Sequence, residues 1–197
     1  MFTNRAWRRL AAAISVALLL SAHLLAAQAT TSTRAAVGDY KIFLPLTLQV
    51  IAPLRIDAAA SASYTDTSGN LWQADTGYLD GQVGNLGNIS IANTSDPRIY
   101  QTERFKLTGY ALAVANGNYT VRLHFAENFY TTPGKRIFSV NVEGTPINNL
   151  DVFAEAGAAH TALIKTANVT VSDHQLNLSF TASVGETMID GIEVIPQ

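Results

Sequence analysis

The chain has 197 residues, with 13 Lys and Arg against 15 Asp and Glu and a formal net charge of −2. That balance lacks the basic footprint that nucleic acid requires, while 48% hydrophobic residues suffice for one real core. The absence of cysteine excludes disulfides, thiolate metal sites and a lipid-bearing cysteine.

Arg5, Arg8 and Arg9 make a basic start, Leu10 to Leu25 is mostly apolar, and Ala27-Gln28-Ala29 is a small-residue cleavage site. The pattern predicts a signal peptide over residues 1–29. An uncleaved anchor is the alternative, because the apolar run approaches bilayer-spanning length. Ser21, His23 and the cleavage site favour removal, hence a protein that is secreted or held at the cell surface without membrane contact. Residues 30–53 read as a leader, a linker or an added strand. Thr30 to Gly38 is small and polar, whereas Ile42 to Ile51 is an apolar segment broken by Pro45, tolerable on a sheet edge.

A domain begins at Leu54 and runs to residue 197. Leu54-Arg55-Ile56-Asp57 predicts a short strand, and Ser61 to Asn70 is rich in turn residues. Asp75 to Pro97 predicts a long irregular segment, either a functional loop or a surface insertion. Tyr119 to Phe125 then alternates Tyr119, Val121, Leu123 and Phe125 with Thr120, Arg122 and His124, the two-residue period of a half-buried strand. This strand delivers Phe129 and Tyr130 into a loop ending at Pro133-Gly134. Two exposed rings side by side cost hydration free energy unless something docks on them. Further strands are predicted over Ile137–Glu143, Ala167–Val171, Leu176–Phe180 and Met188–Ile195, with turns at Gly144-Thr145-Pro146 and Ser172 to Gln175. Many short strands and no helical stripe beyond the leader predict an all-β, jelly-roll-like β-sandwich.

Several ordered motifs carry a family likeness. Tyr100-Gln101-Thr102-Glu103-Arg104-Phe105 is followed by Gly117-Asn118-Tyr119-Thr120-Val121-Arg122-Leu123-His124-Phe125-Ala126-Glu127. Arg55-Ile56-Asp57-Ala58 and Trp72-Gln73-Ala74-Asp75 precede them; Arg136-Ile137-Phe138-Ser139-Val140, Asp151-Val152-Phe153 and Ile189-Asp190-Gly191-Ile192-Glu193-Val194 follow. Over roughly Leu54 to Ile195 the chain resembles the malectin domain, a carbohydrate-binding β-sandwich. The resemblance implies an oligosaccharide or polysaccharide ligand and a non-catalytic role. It places Tyr110 where the family has a sugar-contacting tyrosine and sets Phe129 and Tyr130 on a Tyr-Phe pair in swapped order. Glu186 falls where the family's animal member has a binding aspartate. That member has a further binding tyrosine in its long loop, whereas this chain has no tyrosine between Asp80 and Ile99; Tyr78 is the nearest substitute.

Other chemistry is weaker in the residues. Glu103 and Arg104 read as a local ion pair, and Glu127 has no second acid at glycosidase spacing. His124 sits on the polar side of its strand without a nucleophile motif, so no catalytic residue is assigned. Asp66, Asp75 and Asp80 are loop acids that could serve a structural Ca²⁺, but no Ca²⁺-loop motif is present and no cofactor or metal is assigned. Trp72 is expected to pack beneath a loop. Asn-x-Ser/Thr triplets start at Asn88, Asn93, Asn118, Asn168 and Asn177. The reading is an exported module that binds a glycan by aromatic stacking and hydrogen bonds. The alternative is an adhesion sandwich that binds protein at the cell envelope.

Overall fold

Two antiparallel four-stranded sheets carry the core of residues 52–197, the stretch that the computed structural model describes. The predicted signal peptide and residues 30–51 of the leader lie outside the described residues. In chain order the elements are β1 (Leu54–Asp57), β2 (Tyr64–Thr65), β3 (Leu71–Trp72), β4 (Gln82–Asn85), a 3-10 turn (Arg98–Tyr100) and β5 (Thr102–Phe105). Next come β6 (Gly109–Ala113), β7 (Gly117–Phe125), β8 (Ile137–Val142), β9 (Thr145–Leu150) and α1 (Val152–Ala156). The chain closes with β10 (Leu163–Val171), β11 (Gln175–Val184), β12 (Met188–Ile189) and β13 (Gly191–Pro196).

The first sheet has the order β1-β13-β7-β10 and the second β6-β11-β8-β9. Alternation along each strand sends one set of side chains inward. Val121, Leu123, Phe125, Ile192 and Val194 from the first sheet meet Leu112, Phe138, Val140, Leu178 and Phe180 from the second in one buried cluster. The chain is therefore a β-sandwich, as its alternation predicts. Two smaller sheets, β12-β5-β4 and β2-β3, flank it.

Three local readings change. The segment from Asp75 to Pro97 is not wholly irregular, because Gln82–Asn85 pairs antiparallel with Thr102–Phe105. The last predicted strand is split at Asp190, whose buried carboxylate accepts the Ala126 N–H while its carbonyl accepts that of Ala58. His124 is not on a solvated face. The chain between Tyr64 and Tyr100 folds over it, and Tyr64, Trp72, Ile99 and Tyr100 form a second buried cluster there. The Tyr100 hydroxyl lies 2.8 Å from His124 Nδ1, and His124 Nε2 lies 3.0 Å from Glu193 Oε1. Trp72 does pack as expected: its Nε1–H donates to Asp66 at 3.1 Å and its ring meets His124 edge-on.

One buried acid makes stability depend on pH. Asp57 accepts a hydrogen bond from the Thr102 hydroxyl at 3.0 Å, yet burial pushes its carboxyl from the ordinary 3.8 up to about 7. The folded state thus binds this proton more tightly than the unfolded state, so stability falls as pH rises between about 4 and about 7. Asp57→Asn keeps an acceptor for Thr102 and cannot ionise. Thermal melts should show the variant more stable than the parent near pH 7.5 and equal to it near pH 4. Parallel curves for the two proteins would assign the slope to other groups.

Candidate functional site

The aromatic pair at the end of β7 is held in place by an acid. Glu127 is almost wholly buried, and its Oε1 accepts the backbone N–H groups of both Phe129 and Tyr130 at 3.0 Å. Its Oε2 takes Arg136 Nε at 2.7 Å, which ties the two ends of the loop together. The rings of Phe129 and Tyr130 meet edge-to-face, 4.9 Å between centroids. Phe129 is 72% exposed, the most exposed large apolar residue among those described. The Arg136 guanidinium lies 5.4 Å from the Tyr130 ring centroid, within cation–π range.

These rings wall a cleft of about 410 Å³ that is also lined by Glu103, Phe105, Arg136 and Glu186. β5 supplies Glu103 and Phe105 from one face, because residues two apart along a strand point the same way. Glu103 can seat itself there because its cross-strand neighbour is Gly84; a Cβ at that position would come within 2.6 Å of Glu103 Cγ. Glu186 enters from the turn after β11 and pairs with Lys106 at 3.0 Å. Gly185 brings that turn in with φ +66, its Cα side against the Lys135 carbonyl, where a Cβ would meet the oxygen at 2.5 Å.

Two polar atoms at the cleft lack protein partners. Glu103 is 7% exposed and its Oε2 accepts nothing, while Arg136 is 5% exposed and its Nη1 donates to nothing. Burial raises the Glu103 carboxyl above the ordinary range, with neighbouring Arg136 pulling the other way. Behind them Asp190 is fully buried with an unpartnered Oδ1, its carboxyl also raised by burial. Native interiors leave few such atoms unpaired, so three in one neighbourhood require an explanation.

The structure brings together Phe129, Tyr130 and Glu186, and sets Tyr110 and Tyr78 apart from them. Tyr110 is 1% exposed; its ring sits in the core and its hydroxyl donates to Asp75 at 3.0 Å. Tyr78 bridges to Tyr110 and lies beneath the Arg104 guanidinium, 3.5 Å from its ring centroid. Sequence reasoning missed Glu103, Phe105 and Arg136. Glu103 and Arg104 do not form the expected local pair, since adjacent strand residues face opposite ways. Arg104 instead holds Asp75 at 2.6 Å.

The loop acids considered for Ca²⁺ are occupied by protein donors. Asp66 accepts the N–H groups of Ser68 and Asn70, Asp75 those of Ala59 and Arg104, and Asp80 the N–H and hydroxyl of Thr108. Among the described residues no three His, Asp or Glu side chains converge as a metal-ligand set. A second polar cleft of about 260 Å³, on the outer face of the first sheet, includes Arg55, Arg122 and Glu193. There Glu193 accepts from Arg55 at 3.0 Å and pairs with Arg122 at 3.2 Å.

Residues 53–195 match the family Malectin, described as the Malectin domain. The chain belongs to the malectin domain family. Malectin domains are carbohydrate-binding and non-catalytic. The chain is 34% identical over 124 residues to a probable leucine-rich-repeat receptor-like serine/threonine-protein kinase of Arabidopsis thaliana, At1g07650, covering 57% of this chain and 12% of the kinase. It is 30% identical over 118 residues to Malectin-B of Xenopus laevis, covering 54% of this chain and 42% of that protein. The chain thus spans less than half the length of these curated relatives. Among solved structures it resembles the ANXUR2 extracellular domain of Arabidopsis thaliana at TM-score 0.65 and 17% identity, over 73% of this chain and 48% of the other. It also resembles a Bacteroides uniformis β-glucuronidase at TM-score 0.67 and 23% identity, over 74% of this chain and 18% of the enzyme. These two likenesses establish the fold alone. Among the described residues no helix is long and apolar enough to cross a membrane.

Proposed function

We propose that the malectin domain binds a glycan in the cleft between β5, the loop after β7 and the turn after β11, and does no chemistry on it. One observation carries this reading: Glu103 Oε2 and Arg136 Nη1 are buried without partners beside the rings of Phe105, Phe129 and Tyr130. A pyranose ring complements both features, with C–H faces for the rings and hydroxyls that donate to one atom and accept from the other. An unpaired buried polar group costs roughly 1–3 kcal/mol, which such a ligand recovers.

The acids argue against hydrolysis. A glycosidase needs one free carboxyl as acid and a second as nucleophile or base. Glu127 is committed to two backbone amides and Arg136, Glu186 pairs with Lys106, and Asp190 is fully buried behind the cleft, which leaves Glu103 without a second free carboxyl. Export is part of the proposal, supported by the basic start, the apolar run from Leu10 to Leu25 and Ala27-Gln28-Ala29. Mass spectrometry of the exported chain should find its N-terminus near Thr30; an intact leader would overturn cleavage.

A glycan array probed with the chain, read beside a pull-down from cell envelope, tests the function. Binding to a glycan class is the expected outcome. Silence on every sugar together with capture of one envelope protein would favour the adhesion reading.

A further inference from the structure

The charges at the cleft are unevenly spent. Arg136 is taken by Glu127 at 2.7 Å and Lys106 by Glu186 at 3.0 Å. Three buried atoms remain unpartnered and two of them are acidic: Glu103 Oε2 on β5 and, behind it between β12 and β13, Asp190 Oδ1, beside Arg136 Nη1. Arg136, Glu127 and Glu186 are the charged groups that act on Glu103, which itself acts on Asp190, and Lys106 enters only through its pair with Glu186. The one open donor, Arg136 Nη1, can serve a hydroxyl or ring oxygen without leaving its ion pair.

We infer that the cleft is selective for an amino sugar, a hexose carrying a protonated amine, over neutral sugars, and that it rejects uronates. The inference rests on the carbohydrate-binding reading and narrows it to a ligand class. An ammonium offers three donors and a positive charge to Glu103, where a hydroxyl offers one donor and a carboxylate none. Its arrival also favours ionisation of Glu103, which burial opposes in the empty cleft. The resulting hydrogen bond is charge-assisted on both sides and shielded from bulk water by three aromatic rings. A uronate would instead set its carboxylate beside Glu103 and Glu186, the two acids that line the cleft, and like charges in close register oppose binding.

The test is calorimetric titration of the intact chain at neutral pH with four monosaccharides: glucosamine, N-acetylglucosamine, glucose and glucuronate. Glucosamine should bind about tenfold tighter than glucose, the margin of a charge-assisted over a neutral hydrogen bond. N-acetylglucosamine, which keeps the nitrogen and loses the charge, should match glucose, and glucuronate should bind most weakly. In Glu103→Gln the affinities for glucosamine and glucose should converge within about twofold. Equal binding of all four sugars, or preference for glucuronate, would overturn the selectivity and leave glycan binding standing. An undiminished glucosamine preference in Glu103→Gln would remove Glu103 from its role. Silence toward all four would overturn the inference and the cleft as a glycan site together.

Discussion

Phe129→Ala and Tyr130→Ala each weaken glycan binding about tenfold or more and leave the melting temperature nearly unchanged. Phe129 is the most exposed large apolar side chain among those described, so its removal opens no cavity in the core. A stacked ring contributes about 0.5–1.5 kcal/mol beyond the area it covers, and the lost area adds to that. Each loss corresponds to an order of magnitude in affinity. The backbone of the loop stays in place in both variants, because Glu127 holds it through main-chain N–H groups. Titration calorimetry beside a thermal melt separates the two effects. Intact affinity in both variants would place the platform elsewhere.

Arg104→Ala destabilises the domain by about 3–5 kcal/mol, the loss seen when one member of a buried ion pair is removed. Arg104 and Asp75 have side chains only 5% and 4% exposed and lie 2.6 Å apart. Asp75 also accepts the Ala59 N–H at 2.7 Å and the Tyr110 hydroxyl at 3.0 Å, so it joins the chain after β1 to β5 and β6. Without the guanidinium its charge stays buried, and Tyr78 loses the cation above its ring. Arg104→Lys should recover part of the loss through the charge alone, because an ammonium lacks the planar fork. Denaturant unfolding measures both variants. Glu186→Gln is the contrast: its exposed pair with Lys106 contributes at most about 1 kcal/mol, so the same measurement should show little change.

The sandwich was legible because alternation is a local signal. Tyr119, Val121, Leu123 and Phe125 can bury one face only as a strand, and all four are in the core. That His124 is buried, on the polar side of its strand, is something alternation cannot encode. Period two separates the faces of a strand and says nothing about what covers the second one, here Trp72 from β3 and Tyr100 from the 3-10 turn. Of the site, the adjacent rings of Phe129 and Tyr130 were visible, since a strand end offers them no core. Glu186 came from the family likeness, and the cleft does contain it.

The likeness also pointed to Tyr110, where the cleft holds Phe105 instead. The same period that identified β7 would have placed Phe105 beside Glu103, and Arg104 on the reverse face with the chain around Asp75. What no local pattern reveals is partnership across distance. Arg104 finds Asp75, and Arg136 finds Glu127, only once the sheets have closed. The unpartnered oxygen of Glu103 is likewise a property of the folded cleft.

Backbone-amide chemical shifts of the chain, recorded while the array's strongest glycan is added, test the central claim most directly. Saturable shifts should concentrate at Glu103, Phe105, Phe129, Tyr130, Arg136 and Glu186, and in Tyr130→Ala should need about tenfold more glycan to reach saturation. Shifts confined to the outer face, around Arg55, Trp72, Arg122 and Glu193, would contradict the assignment of the glycan site to this cleft.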